Sequence, residues 1–498
     1  MPRLGPIPVA VAIQVVLLAA LTVSCLQTPE EYDLVITNGR VVDGSGAHGY
    51  SADLAIINDT IVRIGQLTGR ERRGARKIIN AQGLAVCPGF IDISSRSEYT
   101  LLVDGSAQSM LRQGVTTAIV GGEESPGPFQ GKLKPGSPFG LKIDWRRLGE
   151  YFDRLEQSGV ALNVATFVGA NQIRSCVVGD SSREPTRAEI EAMKLLAGEA
   201  MRDGAAGLSC ALAAPPHSNL SASQLTELAS AVRQYGGGLF IHLRTEGEGI
   251  HQAVAEAIEI AEKAQVQLEI FHLKIADPGL RGRMNEICDL IEKARSRGIK
   301  AAADESPYAS TQNDVGDSTA SSAPGGDDRA RSEDDVRCAM KRAWVSVGSD
   351  GAAVRPDGIL GRGPAPPRSY GTFPRVLGKY AREDSVLTLE EAVRKMTSLN
   401  AEKLGISTRG LLKEGRKADI TIFDPCSVID RATDDDPRQY PSGIEHVIVN
   451  GVLVVENGIH LGTKPGKMLR RIPFITRGNA FCCAAVPWRI SGYLSNFD

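Results

Sequence analysis

One unit recurs through the middle of this 498-residue chain and limits what it can become: an amphipathic helix, a short turn, then a short apolar strand. "TRAEIEAMKLLAGEAMRDGAAGLSC" (186–210), "ASQLTELASAVRQYGGGLFIHLR" (222–244), "IHQAVAEAIEIAEKAQVQLEIFHLK" (250–274) and "MNEICDLIEKARSRGIKAAADESPY" (284–308) all follow it. "VTTAIVGG" (115–122) and "LNVATFVGA" (162–170) add strand-like runs upstream. Strands separated by whole helices run parallel, because a hairpin cannot join them. The repetition predicts an α/β fold, a (β/α)8 TIM-like barrel over residues 88–407. In such a barrel the C-terminal strand ends carry the functional groups, and His242, His272 and Asp304 fall there.

The two ends of the chain read differently. Residues 32–66 alternate apolar and polar positions around the turns Asn38-Gly39 and Asn58-Asp59, and the same texture returns at 415–425 and 444–458. This predicts a small β-sandwich domain built from both termini, residues 32–87 and 408–470. Residues 309–335 are polar and aperiodic and read as a disordered or shortened lid segment; the tail, 471–498, has no periodicity and is left unassigned.

Residues 1–25 carry a basic start, an apolar run and small residues before Cys25, the pattern of an export signal. "LTVSC" resembles a bacterial lipobox, with Thr22 where leucine is usual. A lipoprotein signal, a cleaved soluble signal and an uncleaved anchor all remain open. The expectation is an exported protein, periplasmic or membrane-anchored, with membrane attachment through a lipidated Cys25 as one form of it. A formal charge of -2 and 5% aromatic residues give no basis for a nucleic-acid partner. The nine cysteines are scattered and read as buried small hydrophobes rather than as a disulfide framework.

Of the seven histidines, only His242 and His272 end strands. Asp350 ends a third, in "WVSVGSDG". Two imidazoles and a carboxylate are standard zinc ligands, and an aspartate beside a metal-bound water can shuttle its proton.

These stretches resemble the amidohydrolase superfamily, and within it the D-aminoacylase group (N-acyl-D-amino-acid deacylases). The likeness runs through "DLVITNGRVVDGSG", "PGFIDISSRSEYTLLVDGSAQSMLRQGVTT", "GGLFIHLRTEGEG", "LEIFHLK", "VSVGSDG" and "RGLLKEGRKADITIFDP", in that order. It implies His242 and His272 as metal ligands, Asp350 as the general base and acid, and Glu123 at the place of a further ligand, with Glu124 as its neighbouring alternative. It also implies divalent metal, zinc by preference, which the loss of ligands at Ser94 and Arg96 reduces to one ion, and a small N-acyl amino acid or amide as substrate.

The chain departs from that pattern where the family has His-x-His on the first strand and this sequence has Ser94-Ser95-Arg96. Serine is a poor zinc ligand and arginine has no acceptor atom. Pro366 stands where histidine is common, Ser306 stands where a tyrosine is, with Tyr308 remaining, and the interval before Asp350 is short for a lid. Two functions follow. One is a single-metal deacylase in which Arg96 supplies positive charge to substrate, with Lys274, Tyr308 and Arg375 as further substrate contacts. The other is a catalytically impaired relative that binds a ligand or partner. An Arg96 close to Asp350 would pair with it and weaken it as a base.

Overall fold

The computed structural model describes residues 32–213, 220–308, 332–362, 365–472 and 488–490. The apolar run with Cys25 lies outside them, and among the described residues no helix is long and apolar enough to cross a membrane.

The chain starts with Leu34–Val41 (β1), Tyr50–Ile57 (β2), Thr60–Gly65 (β3), Lys77–Asn80 (β4) and Ala85–Pro88 (β5). Asn58 takes positive φ in the turn between β2 and β3; Asn38, expected in a turn, lies instead inside β1 at a break in its register with β2, where positive φ suits the residue most tolerant of it after glycine. Nine short strands follow, separated by helices except for β8 and β9, which only Phe167 divides: Phe90–Asp92 (β6), Val115–Val120 (β7), Asn163–Thr166 (β8), Val168–Gly169 (β9), Leu208–Ala211 (β10), Leu239–His242 (β11), Leu268–Ile270 (β12), Ala301–Glu305 (β13) and Val345–Val347 (β14). The chain returns through Ile420–Phe423 (β15), Ile444–Val449 (β16), Val452–Glu456 (β17) and Ile459–His460 (β18).

These strands form a nine-stranded sheet from both ends of the chain and two parallel arcs from the middle. The first runs β18-β17-β16-β15-β5-β1-β2-β3, with β4 on β1. The arcs are β6-β7-β8 and β9-β10-β11-β12-β13-β14, parallel throughout. Among the described residues no strand ladder joins β8 to β9 or β14 to β6, so the predicted closed barrel is seen as two arcs within a mixed α/β fold. Phe167 alone separates β8 from β9 along the chain, with Phe167 N donating back to Val120 O on β7 at 2.9 Å and Ala206 N donating to Thr166 O at 2.8 Å; between the ends of β14 and β6, Asp350 N donates to Ser94 O at 3.0 Å.

Parallel strands covered on both faces need continuous apolar runs, and every residue of β7, β10 and β12 is buried. The helices between them are built from local signals. Thr186 with Glu189 and Ser221 with Gln224 form capping boxes at Arg187–Asp203 and Ala222–Arg233. The helix Glu333–Met340 starts inside the stretch expected to be aperiodic, whose residues 309–331 lie outside the described ones. Glu333, Asp334 and Asp335 fill its first turn, where the helix dipole favours anions. Asp335 also accepts from Gly282 N at 2.9 Å and Met284 N at 3.1 Å, docking this helix on the start of the one before it. In the tail, Leu469–Arg471 (β19) pairs antiparallel with Trp488–Ile490 (β20).

Candidate functional site

The C-terminal ends of six strands supply one polar cluster. Ser94 and Arg96 follow β6, Glu123 follows β7, His242 ends β11, His272 follows β12, Asp304 lies in β13 and Asp350 follows β14. The His242 and His272 rings are 5.1 Å apart, centroid to centroid, and His242 also rests on Phe271 at 4.9 Å. Phe271 packs on Phe167, which packs on Phe240, so an apolar aromatic floor underlies the imidazoles.

Both His272 and Asp350 hold left-handed backbone, φ 49° and 50°. Non-glycine residues adopt this rarely, and such positions cluster at functional sites. Buried hydrogen bonds hold them there. Asp304 Oδ1 accepts from His272 N at 3.0 Å, while Asp350 N donates to Ser94 O. Ser94 Oγ donates to Asp304 Oδ2 at 2.8 Å. Gly348 makes room for that pair: a Cβ at 348 would collide with both oxygens.

Arg96 lies at the centre of the charges. Its Nη1 pairs with Glu123 Oε2, and its Nε donates to Asp350 Oδ1 at 2.5 Å. The same Asp350 oxygen is 3.2 Å from His272 Nε2, and Arg368 Nε is 3.4 Å from the other. Burial pushes the Asp350 carboxyl upward, but the charges of Arg96, His272 and Arg368 outweigh it and hold the group well below the usual carboxylate range. Burial lowers His272, but Asp350 and Asp304 more than offset that and raise it, favouring imidazolium. For His242, burial with the His272 and Arg96 charges outweighs the upward pull of Asp350 and holds it well below its ordinary value and neutral.

The expected metal ligands are brought near one another but not arranged as a metal centre. Among the described residues no group of three or more His, Cys, Asp or Glu is placed to hold one ion. The physical reason is Arg96: it engages the Glu123 carboxylate and one Asp350 oxygen, and that oxygen also faces His272 Nε2. As arranged, the donors do not fit a three-ligand zinc site.

Of the other predicted contacts, Lys274 pairs with Glu246 at 3.1 Å. Tyr308 and Arg375 turn to Asp430, at 2.8 Å and 3.1 Å, with the Arg375 guanidinium 4.7 Å from the Tyr308 ring centre. Arg375 Nε also donates to Pro307 O at 2.9 Å. These groups therefore tie loops together rather than converge with Arg96 on one point.

Sequence reasoning assigned no role to Asp304, Arg368 or Glu98. Asp304 had a signal, since it falls at the C-terminal end of its strand, one residue before Glu305 closes it. Arg368 and Glu98 had none. Glu98, two residues past Arg96, is buried, and burial pushes its carboxyl up to about 8, with Glu124 and Glu123 adding to the rise and Arg96 opposing it.

Residues 94–455 match the model of a family described as "Amidohydrolase family". The chain is 32% identical to the D-aminoacylase of Alcaligenes xylosoxydans xylosoxydans over 482 residues, covering 89% of this chain and 98% of that protein. It is 31% identical to the N-acyl-D-glutamate deacylase of the same organism, over 89% and 97% of the two chains. A solved D-aminoacylase, described with a binuclear metal centre, one-metal activation and second-metal attenuation, superposes with a TM-score of 0.79 at 30% identity, covering 88% of this chain and all of that one. The N-acyl-D-glutamate deacylase of Bordetella bronchiseptica, solved with zinc and a phosphonate mimic of the tetrahedral intermediate, gives 0.77 at 30% identity, covering 89% and 100%. Sequence and fold agree over nearly the full length of these relatives: the chain belongs to the amidohydrolase family, in its D-aminoacylase group, with Ser94 and Arg96 standing in its first-strand motif.

Proposed function

We propose that this chain hydrolyses the amide of an N-acyl-D-amino acid or a similar small amide, with metal dependence as in its relatives, at the strand ends of a closed (β/α)8 barrel. What carries the reading is Asp350, held in left-handed backbone with one oxygen 3.2 Å from His272 Nε2, whose ring lies 5.1 Å from that of the neutral His242. A carboxylate fixed there accepts a proton from the attacking water and returns it to the leaving nitrogen. The Arg96 guanidinium offers the charge that a substrate carboxylate or a tetrahedral oxyanion needs. The relatives' names and their coverage support the substrate class and the barrel. The N-terminal apolar run supports export as part of the same reading.

The test is hydrolysis of N-acetyl-D-amino acids by purified protein, with added zinc and with chelator. Turnover that falls on chelation, and by about 10²-fold or more in Asp350→Asn, supports the reading. Turnover unaffected by Asp350→Asn sinks it. A second reading, a ligand-binding relative without hydrolysis, is favoured by one observation: Asp350 is paired to Arg96 and Arg368, which makes it a weak base. Binding of an N-acetyl-D-amino acid without turnover under any metal condition selects it.

A further inference from the structure

The arginine in the first-strand motif does more than leave a ligand out. We infer that Arg96 is a built-in competitor for metal: its guanidinium holds Glu123 and Asp350, and a divalent cation enters only by displacing it. Three observations carry this. The two carboxylates that flank the imidazoles converge on one guanidinium, through Nη1 and Nε. Arginine does not lose its proton, so the competing charge is permanent. The backbone fixes Arg96 in place, because Arg96 N donates to Gly351 O at 2.9 Å and Asp350 N donates back to Ser94 O.

The neighbouring substitution belongs to the same arrangement. Ser94 is bonded to Asp304, and Asp304 also accepts from His272 N. The β6 end is thus knitted into the carboxylate network rather than left as a gap. The two arms of the Arg96 clamp differ. Glu123 is 39% exposed and Asp350 11%. Exposed pairs contribute little and break readily, while the buried arm is costly to strip. Glu123 is therefore the arm that opens, and Asp350 stays with the guanidinium.

The inference rests on the hydrolase reading only in taking His242, His272, Glu123 and Asp350 as the site. Its test is zinc titration by calorimetry of the full chain and of Arg96→Gln, with Arg96→Lys beside them. Removing the guanidinium frees Glu123 and one Asp350 oxygen from Arg96 and leaves Arg368 beside the other Asp350 oxygen. Arg96→Gln is expected to bind zinc at least about tenfold more tightly than wild type, and Arg96→Lys to stay near wild type. Equal or weaker zinc affinity in Arg96→Gln overturns the inference. If Arg96→Gln does not fold, the wild type decides: about one zinc retained through dialysis overturns it, and none retained supports it. The two readings separate cleanly. No turnover in either protein with zinc bound removes the hydrolase reading and leaves the competition standing, whereas equal affinity removes the competition whatever the turnover.

Discussion

Around Arg96, single side chains set the electrostatics, and Glu98 shows the consequence for pH. Its carboxyl is buried, and burial lifts it from an ordinary 4.5 to about 8. For an acid raised in this way the folded state keeps a proton that the unfolded chain has already lost. Stability from this group is therefore full below about pH 4.5 and is lost as pH climbs to about 8. Glu98→Gln removes the linkage. Unfolding free energies of the two proteins should agree near pH 4.5 and diverge in favour of the variant above pH 8, by up to roughly 5 kcal/mol. Parallel pH profiles would show that Glu98 ionises freely. Asp350 has the opposite sign: held low by its cations, it contributes stability that is lost only as pH falls through its depressed value.

At the scale of elements, the parallel arc is pinned from outside by the helix Ser398–Leu404. Lys403 reaches from it to Glu269 on β12 at 2.7 Å, Ala303 O at 2.7 Å and Ser346 Oγ on β14 at 2.7 Å. Burial raises Glu269 to about 7, and Lys403 pulls against that rise. Deleting one member of such a pair strands the other. Lys403→Met should lower stability by about 3–5 kcal/mol, read as a drop in melting temperature, and the double variant Lys403→Met/Glu269→Leu should recover part of it. A double variant no more stable than the single one would place the cost in packing instead. The short strands account for the reliance on such pins: β12 and β14 have three residues each, so their ladders are brief.

The whole molecule is joined across its two kinds of sheet by a buried polar knot. Arg409 pairs with Asp419 and donates to Asn450 at 2.7 Å; Asn450 Nδ2 donates to Asn163 at 2.8 Å, and Asn163 Nδ2 donates to Asp419 at 3.0 Å. Asn163 begins β8, while Asp419 and Asn450 flank strands of the nine-stranded sheet. Burial pulls Arg409 down to about 9, so this cation depends on its partners. Asp419→Ala should cost about 3–5 kcal/mol and split urea unfolding into two phases as the sheets uncouple. A single unshifted transition would show that the surrounding apolar cores suffice.

Period and punctuation made much of this legible in the residues alone. Helix-turn-strand repeats foretold parallel strands, because a hairpin cannot join strands separated by whole helices, and they put His242, His272 and Asp350 at or just past strand ends. The alternating termini foretold strands at both ends, and the sheet takes them from both. The missing histidines at 94 and 96 could be read directly. What the string of residues could not decide was where Arg96 would point. Its partners lie on other strands, Asp350 254 positions away, and ion pairing depends on distance in space. The same holds for Arg375 and Tyr308, drawn to Asp430 rather than toward the imidazoles. Local patterns determined the elements and the strand ends, since they follow from backbone geometry. Tertiary structure alone decided which carboxylates each cation neutralises, and with that the competition between a guanidinium and a metal.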